Sequence, residues 1–385
     1  MAKMEFSGNR GEWSEPYVVL RLMADGTLHQ ANANLLPDEK DFACILSVNR
    51  GDVKATMQDG GVVAFSYRGD GGQVLSTVVS SQKLNQQASR LFKTISAIKN
   101  ARGSFNFPDE VDDLKSLGFQ RLTSPLRDGG KTAKRDLELH LLSPNMGNAL
   151  LGFSVKSQLG APPTLFNASE ATNIIYRVKG LTSDQAATIN AMEGNRKIIG
   201  RCRAIKALAT SIEYEAYQNS VFETNLDVID SSLPRMLAEL LKVHYFEQIL
   251  LPRDAKTENG FRKFDRLDNA VSLLSKTGEY ALKPRAEYCA IKIKRFLRAC
   301  ALGLMPSKVW NANDDASGGY IIVLPDGQLV ALFVYNTTLL EKYLYETTIF
   351  ERASTTRHKY LTLIPANDGT QDFLLKLNLQ IRFAQ

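Results

Sequence analysis

"LELHLLS" (residues 137–143) and "LLGFSVKSQ" (150–158) stand on either side of the turn-forming stretch "PNMGN". Apolar residues alternate or run together in both segments, and Pro, Asn and Gly between them favour a tight turn, so we predict a central β-hairpin. Lys156 falls inside the second strand. Two interpretations stay open: Lys156 lies on the solvent face of an edge strand, or it is a functional lysine.

An aspartate opens the same hairpin. Asp136 precedes the first strand, and Lys156 follows it twenty residues later on the second. In an antiparallel hairpin both can reach the same end of the sheet. This layout is typical of Mg²⁺-dependent phosphodiesterases of the PD-(D/E)xK type, in which carboxylates hold the metal, the metal activates water and the lysine orients the nucleophile. We therefore predict Asp136 and Lys156 as catalytic residues, Asp136 also as a metal ligand, and Mg²⁺ as the cofactor.

The second carboxylate of that pattern is missing from its usual place. Ser154 stands two residues before Lys156, where Glu or Asp is expected. Glu170 could replace it. Thirteen residues separate it from Lys156, a spacing close to that of nucleases whose second carboxylate lies on a neighbouring element. Alternatively, Glu170 forms a capping box with Asn167 if "EATNIIYRV" begins a helix, although its β-branched residues also suit a strand.

Two further acidic candidates lie near the start of the chain. Glu12 and Glu15 occupy "GEWSE", in a predicted helix that ends at Gly26. Nucleases of the PD-(D/E)xK type often donate a first-helix glutamate to the metal site, but glutamates in a first turn also interact favourably with the helix dipole. The predicted metal ligands are thus Asp136 with Glu15, Glu12 or Glu170.

Length and composition set the broad class of protein. A chain of 385 residues suffices for two or three domains, and 44% hydrophobic with 23% charged residues excludes a disordered or collagen-like chain. No apolar run reaches the roughly 18 residues of a membrane helix, and the first residues lack the apolar core of a signal peptide. We expect a cytoplasmic protein without a membrane partner.

Cysteine and histidine usage excludes several kinds of site. The four cysteines are scattered without a CxxC pair, which argues against a disulfide framework or a structural zinc. The four histidines do not form the clusters of a histidine-based nuclease or metalloprotease. If the protein is an enzyme, carboxylates and lysines must carry its chemistry.

Charge permits a polyanionic partner. The net charge is +6, from 47 Lys+Arg against 41 Asp+Glu. Cations with interleaved aromatic residues concentrate in segments 196–206, 261–266 and 283–299. They suit nucleic-acid contact, and solvated helix faces would have the same composition.

Five blocks of sequence together resemble a known family. They are "GNRGEWSEPYVVLRLMADGTL" (8–28), "LLGFSVKSQLGAPPTLFNASEATNIIY" (150–176), "GGYIIV" (318–323), "STTRHKY" (354–360) and "KLNLQIRF" (376–383). In this order they resemble the HpaII family of type II restriction endonucleases, with a weaker match in the charged middle third. The resemblance implies Mg²⁺-dependent, site-specific cleavage of double-stranded DNA, at CCGG or a related target.

The resemblance also implies roles for individual residues. The hairpin contributes Asp136, Ser154 and Lys156 to the active site, and the first helix contributes Glu15 and Glu12. Gln158 shares a face with Ser154 and Lys156 by strand alternation, so we expect it to contact the metal-bound water or the phosphate.

Base recognition requires polar or cationic side chains at the DNA surface. Arg357 and His358 in "STTRHKY" are the first candidates, unless the segment is only an exposed loop. The second set is the outward residues of the strictly alternating strand "KLNLQIRF", which could also be a plain solvent face. This set consists of Asn378, Gln380 and Arg382.

These patterns predict an α/β fold with three segments. Residues 1–180 form a PD-(D/E)xK restriction-endonuclease-like core, a mixed sheet flanked by helices that carries the catalytic hairpin. Residues 181–305 form a helical basic insertion, and residues 306–385 form a β-rich C-terminal region that shares in DNA recognition. A homodimer would place two active sites on a palindrome. A cognate DNA methyltransferase is implied genetically rather than as a bound partner.

Two other functions would share some of these features. A structure-selective repair or junction nuclease would use the same Asp136 and Lys156 but cut branched DNA without a fixed target. A non-catalytic DNA-binding protein would share the basic helices alone.

Overall fold

The computed structural model describes residues 6–69, 71–98, 103–128, 131–251 and 265–384. The chain divides into two compact units. The first comprises residues 1–163 and 314–340, and the second comprises 164–313 and 341–385. The three predicted segments do not coincide with these units, because the chain leaves the first unit at 163 and returns to it at 314.

The first unit combines helices with a large sheet. Its helices are α1 (Arg10–Asp25), α2 (Ser81–Ala97) and α3 (Pro108–Ser116). Its strands are β1 (Thr27–Ala31), β2 (Pro37–Asn49), β3 (Val53–Gln58), β4 (Val62–Arg68), β5 (Val74–Ser80), β6 (Arg127–Asp128), β7 (Lys131–Thr132), β8 (Leu137–Ser143), β9 (Gly147–Ser157), β13 (Gly319–Val323) and β14 (Leu329–Phe333).

Within the described residues, nine of these strands form one mixed sheet in the order β1-β14-β13-β9-β8-β2-β3-β4-β5. β13 pairs in parallel with β9, and β1 in parallel with β14, whereas the other pairings are antiparallel. β1 also pairs with β2, so the six strands from β1 to β2 close on themselves. The predicted α/β class with a mixed sheet and flanking helices is confirmed. The closure of the sheet is a feature that the sequence did not suggest.

The central hairpin forms as predicted. β8 and β9 pair with Leu137 opposite Phe153, and Gly147 takes the positive φ of 65° that the turn requires. β9 pairs with β8 on one side and with β13 on the other, where Lys156 stands opposite Ile322. The edge-strand interpretation of Lys156 is therefore wrong, because the lysine lies on an interior strand.

The first helix also matches its prediction. α1 ends at Gly26, whose φ of 69° allows its N–H to bond to the carbonyl of Leu22. Trp13 and Tyr17 are buried in the core of the first unit, which Leu137 and Phe153 of the hairpin also enter. Burial of these aromatic side chains fixes α1 against β9.

The second unit contains most of the helices. They are α4 (Ser183–Asn190), α5 (Lys197–Leu208), α6 (Ser220–Ile229), α7 (Leu233–Phe246), α8 (Leu267–Leu274), α9 (Gly278–Ala281), α10 (Tyr288–Leu302) and α12 (Thr355–His358). α11 (Thr337–Thr347) spans the boundary between the units. The strands are β10 (Thr164–Phe166), β11 (Asn173–Lys179), β12 (Ser211–Tyr217), β15 (Thr348–Phe350), β16 (Leu363–Pro365), β17 (Phe373–Asn378) and β18 (Ile381–Phe383).

Two small sheets organise these strands. One has the order β12-β11-β17-β16, and the other has the order β10-β18-β15. The predicted helical insertion is mostly helical, with β12 as an added strand. Residues 261–264 of the second basic segment lie outside the described residues.

The last predicted strand is in fact two strands in different sheets. "KLNLQIRF" divides after Asn378, with β17 in one small sheet and β18 in the other. Asn378 is 1% exposed, and its amide donates to Ser169 and Thr172 and to Oδ1 of Asn173. The prediction that Asn378 faces outward is wrong, because this amide satisfies buried polar groups.

The helices in the described part of the chain are short or polar in comparison with a membrane span. None of them is long and apolar enough to cross a bilayer.

Candidate active site

Asp136 is held across the hairpin by backbone hydrogen bonds. Its N–H donates to the carbonyl of Phe153 at 2.8 Å, and its Oδ2 accepts the N–H of Val155 at 2.7 Å. The side chain is half-buried, so the carboxylate is fixed in direction and still reachable from solvent.

Ser154 supports this carboxylate. Its single hydroxyl proton has two acceptors within reach, the carbonyl of Lys134 at 3.1 Å and the carboxylate of Asp136, and the residue is only 2% exposed. Burial raises the pKa of Asp136, while Lys156, the Val155 N–H and Ser154 oppose that rise. The serine in the usual carboxylate position thus orients Asp136.

Lys156 is close enough to Asp136 for its charge to stabilise the carboxylate. Its Nζ lies 5.1 Å from the centre of the Tyr320 ring, which is buried beneath it. Tyr320 stands on β13 opposite Ser154, so the interior position of β9 provides this aromatic support. The lysine itself is half-buried, which leaves its ammonium accessible to a ligand.

Glu15 brings a second carboxylate from α1. Its pKa is raised to about 8, chiefly by burial and also by the negative charges of Asp136 and Glu12, against the lowering effect of Arg50 and Lys156. Two partly buried carboxylates therefore act on each other electrostatically, and Lys156 acts on both. The neighbouring Ser14 hydroxyl donates to Oγ of Ser157 at 2.8 Å, which ties this turn of α1 to the end of β9.

Glu12 has a structural role at the start of α1. Its Oε2 accepts the N–H of Asn9 at 2.7 Å, and Oδ1 of Asn9 accepts the Glu12 N–H at 3.1 Å. This is a capping box, which fixes the Glu12 side chain at the start of the helix, whereas the sequence suggested only the helix dipole as a structural role for this glutamate. Gln158 lies just beyond β9 with its side chain exposed, and its N–H donates to the carbonyl of Val323.

Arg50 belongs to this site although the sequence did not point to it. The side chain is fully buried, and its guanidinium pairs with both oxygens of Asp52 at 3.0 Å. Its charge reaches Glu15 and lowers the pKa of that carboxyl. The local stretch "NRGD" resembles an ordinary turn, and nothing in it indicates that the arginine is buried.

Glu170 lies in the second unit and has partners there. It begins a single 3-10 turn that leads into β11, so the predicted helix and its Asn167 capping box are wrong and the strand alternative is confirmed. Its Oε1 forms an ion pair with Nζ of Lys359 at 2.9 Å, and this pairing lowers the pKa of Glu170.

The predicted recognition residues also lie in the second unit. Arg357 is exposed on α12, whose first turn is capped by the Ser354 hydroxyl. His358 is half-buried, and burial together with the charge of Arg357 lowers its pKa. Gln380 is half-buried between β17 and β18, and Arg382 pairs with Glu351 at 2.6 Å.

The donor set of the first unit suits a hard divalent cation. No group of three or more His, Cys, Asp or Glu in the described residues is arranged to hold a metal. Mg²⁺ commonly uses only one or two protein carboxylates, with water and substrate phosphate completing its shell. The carboxylates of Glu15 and Asp136 repel each other when both are charged, and a divalent cation bound between them would offset that repulsion.

Comparison with known proteins decides the family. A model of the HpaII restriction endonuclease family matches residues 9–383. The chain belongs to the HpaII restriction endonuclease family. It is similar to the type II restriction enzyme HpaII of Haemophilus parainfluenzae, with 33% identity over 98% of this chain and 99% of that protein. No solved structure matches the chain.

Membership confirms the resemblance of the five sequence blocks. This member of the HpaII family is a restriction endonuclease, a nuclease of the hydrolase class that cleaves DNA at specific sites. Glu12, Glu15, Asp136 and Lys156 all fall within the matched residues.

Proposed function

We propose that this HpaII-family protein is a type II site-specific deoxyribonuclease whose active site consists of Glu15, Asp136 and Lys156. The observation that carries the proposal is the convergence of two carboxylates and one lysine from α1, β9 and the start of β8. These residue types perform the chemistry of a PD-(D/E)xK site. We propose that a PD-(D/E)xK-like core underlies this site, with the closure of strands β1 to β2 as an addition to it.

Glu15 and Asp136 would hold a divalent cation, with Mg²⁺ as the ion expected in the cell. Bound there, the ion would supply positive charge to the scissile phosphate and make a water molecule more acidic. Glu12 contributes through its negative charge while its own oxygen caps the helix.

The chain's own groups orient the reaction. Asp136 cannot turn away from the site because the Val155 N–H and Ser154 fix its carboxylate. The Lys156 ammonium, supported by Tyr320, can donate to a phosphate oxygen or to the attacking water. Gln158, exposed beyond the same strand, is positioned to donate to the phosphate as well.

DNA recognition is assigned to the second unit. Arg357 is exposed and suits a bidentate contact with guanine, in keeping with CCGG or a related target. His358, Gln380 and Arg382 would add contacts. Arg382 would break its ion pair with Glu351 and bind a DNA phosphate or base instead. Glu170 would hold Lys359 in place there instead of binding the metal.

The biological setting follows from this activity. A palindromic duplex target calls for two active sites, so we propose that a homodimer acts on double-stranded DNA. The host genome would be protected by a cognate methyltransferase that need not bind this protein. The enzyme would act in the prokaryotic cytoplasm, where the DNA is.

Digestion of a plasmid of known sequence tests the proposal. With Mg²⁺ the protein should produce fragments whose mapped ends share one short sequence, and with EDTA the plasmid should stay intact. The Asp136→Asn variant should leave it intact in both conditions. Cleavage in EDTA, or cutting confined to branched DNA, would contradict the proposal.

A further inference from the structure

A basic groove lies on the first unit, outside the active site described above. Its volume is about 600 Å³, and its lining includes the cations Arg68, Lys115 and Arg121. None of the described residues that line it carries a carboxylate. All three cations are exposed, and no ion pair with a carboxylate is seen for them in the described part of the chain. Among the described lining residues, the groove therefore carries three cations and no carboxylate, with Nζ of Lys115 lying 5.7 Å from the centre of the Phe6 ring.

The floor of the groove is firmly built. Gly118 has a φ of 89°, and a Cβ on it would lie 2.0 Å from Cδ1 of Tyr67, so the tyrosine ring packs directly on the glycine. The side-chain amide of Gln120 donates to the carbonyl of Arg68 at 2.5 Å, which joins the two walls. The cations are thus carried by a fixed surface and not by a loose loop.

One wall of this groove is anchored by Arg50. The buried guanidinium donates to the carbonyl of Arg121 at 2.6 Å and to that of Leu122 at 3.1 Å. Asp52, the ion-pair partner of Arg50, accepts the N–H of Gln120 at 3.1 Å. Because the charge of Arg50 also acts on Glu15, a single buried arginine adjoins both the groove and the catalytic carboxylate.

A second contact leads to the start of α1. A Cβ on Gly8 would lie 2.4 Å from the Leu122 side chain and 2.7 Å from Oε2 of Glu12. Leu122 therefore packs beside the helix turn that carries Glu12, and residue 121 of the groove wall is its chain neighbour. The groove and the active site are adjacent on one unit.

We propose that this groove binds the sugar-phosphate backbone of DNA next to the scissile phosphate, with Arg68, Lys115 and Arg121 contacting successive phosphates. The proposal rests on the proposed nuclease function and adds a DNA-binding surface to it. A single small anion would need donors that converge on one point. Here the cations are spread along a groove, which suits a chain of phosphates.

The test is the salt dependence of DNA binding by the double variant Arg68→Ala/Arg121→Ala. Its dissociation constant for a duplex containing the cleavage site is measured in EDTA at several salt concentrations. A plot of the logarithm of the association constant against the logarithm of the salt concentration has a negative slope. Each lost phosphate contact lowers the magnitude of that slope by about 0.9. We expect the magnitude of the slope to decrease by about 2, and the affinity at low salt to decrease at least about tenfold.

A matched control removes the same charge elsewhere. Lys179→Ala/Arg235→Ala also lowers the net charge by two, but these cations pair with Glu213 and Glu279. Its slope should stay close to that of the wild type. The single variant Lys115→Gln, at an exposed position on α3, should lower the magnitude of the slope by about 1 and serves as the test if the double variant fails to fold.

The outcomes separate this inference from the proposed function. A wild-type slope in folded Arg68→Ala/Arg121→Ala or in Lys115→Gln, or an equal loss in the control, would overturn the groove assignment while Mg²⁺-dependent cleavage stood. If the variants change the salt dependence as expected but the wild-type protein cuts nothing with Mg²⁺, the active-site proposal alone would be contradicted.

Discussion

The N–H of Val155 donates a 2.7 Å hydrogen bond to Oδ2 of Asp136, across the hairpin that joins β8 to β9. Val155 stands between Ser154, which also bonds the carboxylate, and Lys156, whose charge stabilises it. Three consecutive residues of an interior strand therefore hold one catalytic candidate. The position of Asp136 depends on the register of the hairpin, and shifting that register by one residue would break all three contacts.

Glu15 and Glu12 are predicted to differ sharply in importance. Glu15→Gln should reduce kcat by about 10³-fold, because it removes a charged oxygen donor facing Asp136. Glu12→Gln keeps an oxygen that can accept the Asn9 N–H, so we expect a much smaller loss of rate. Single-turnover cleavage of a plasmid at saturating Mg²⁺ measures both. Equal rate losses in the two variants would show that Glu15 is no more important for cleavage than Glu12.

Ser154 is predicted to act by orienting Asp136. Ser154→Ala should lower the rate about 10- to 100-fold, as loss of an outer hydrogen bond to a ligand usually does, and cost about 1 kcal/mol of stability. Ser143→Ala is the matched control, since that buried serine accepts the Asn145 N–H at the opposite end of the hairpin. It should cost similar stability in urea denaturation without loss of rate. A full rate in Ser154→Ala would leave the serine with only a packing role.

The metal-free protein is predicted to lose stability as the pH rises from about 5 to about 8. Glu15 has a pKa of about 8 in the folded protein against an ordinary value of 4.5. Between these values the folded state binds more protons than the unfolded state, so the free energy of unfolding falls with rising pH. The raised pKa of Asp136 acts in the same direction.

Thermal denaturation in EDTA across this pH range measures the effect. Glu15→Gln should flatten the fall of Tm with pH, and Mg²⁺ should raise the Tm more at pH 8 than at pH 5. A Tm that rises steadily over the same range in EDTA would argue against the pairing of Glu15 with Asp136.

Arg50 is predicted to be a major structural cation. Arg50→Ala should cost about 4 kcal/mol of unfolding free energy, because it leaves Asp52 buried without its partner. Arg90→Ala removes an arginine that is 51% exposed and paired with Asp113, so its effect should be small. Urea unfolding of both variants gives the comparison. Similar costs for the two would mean that Asp52 finds water or another donor.

The hairpin and α1 could be predicted because their signals are local. Alternating apolar residues around "PNMGN" define β8 and β9, and Gly26 takes the positive φ that ends α1. The residue types at 136 and 156 then suggested the chemistry. Family resemblance supplied the function itself, since spacing alone could not distinguish a restriction enzyme from a junction nuclease.

The features that the sequence did not predict depend on distant partners. Asn378 is buried because Ser169, Thr172 and Asn173, about two hundred positions earlier, need its amide. β13 pairs in parallel with β9 and returns residues 314–340 to the first unit, which no local pattern indicates. Long-range pairings of this kind decided both the unit boundaries and the interior position of Lys156.

Cleavage and binding by Lys156→Ala test the active-site assignment most directly. The variant should cut a plasmid at least about 10³-fold more slowly with Mg²⁺, while its dissociation constant for the target duplex stays within about threefold of the wild type. Lys54→Ala, an exposed lysine on β3, should cut at the wild-type rate. Wild-type cleavage by folded Lys156→Ala would contradict the proposed mechanism.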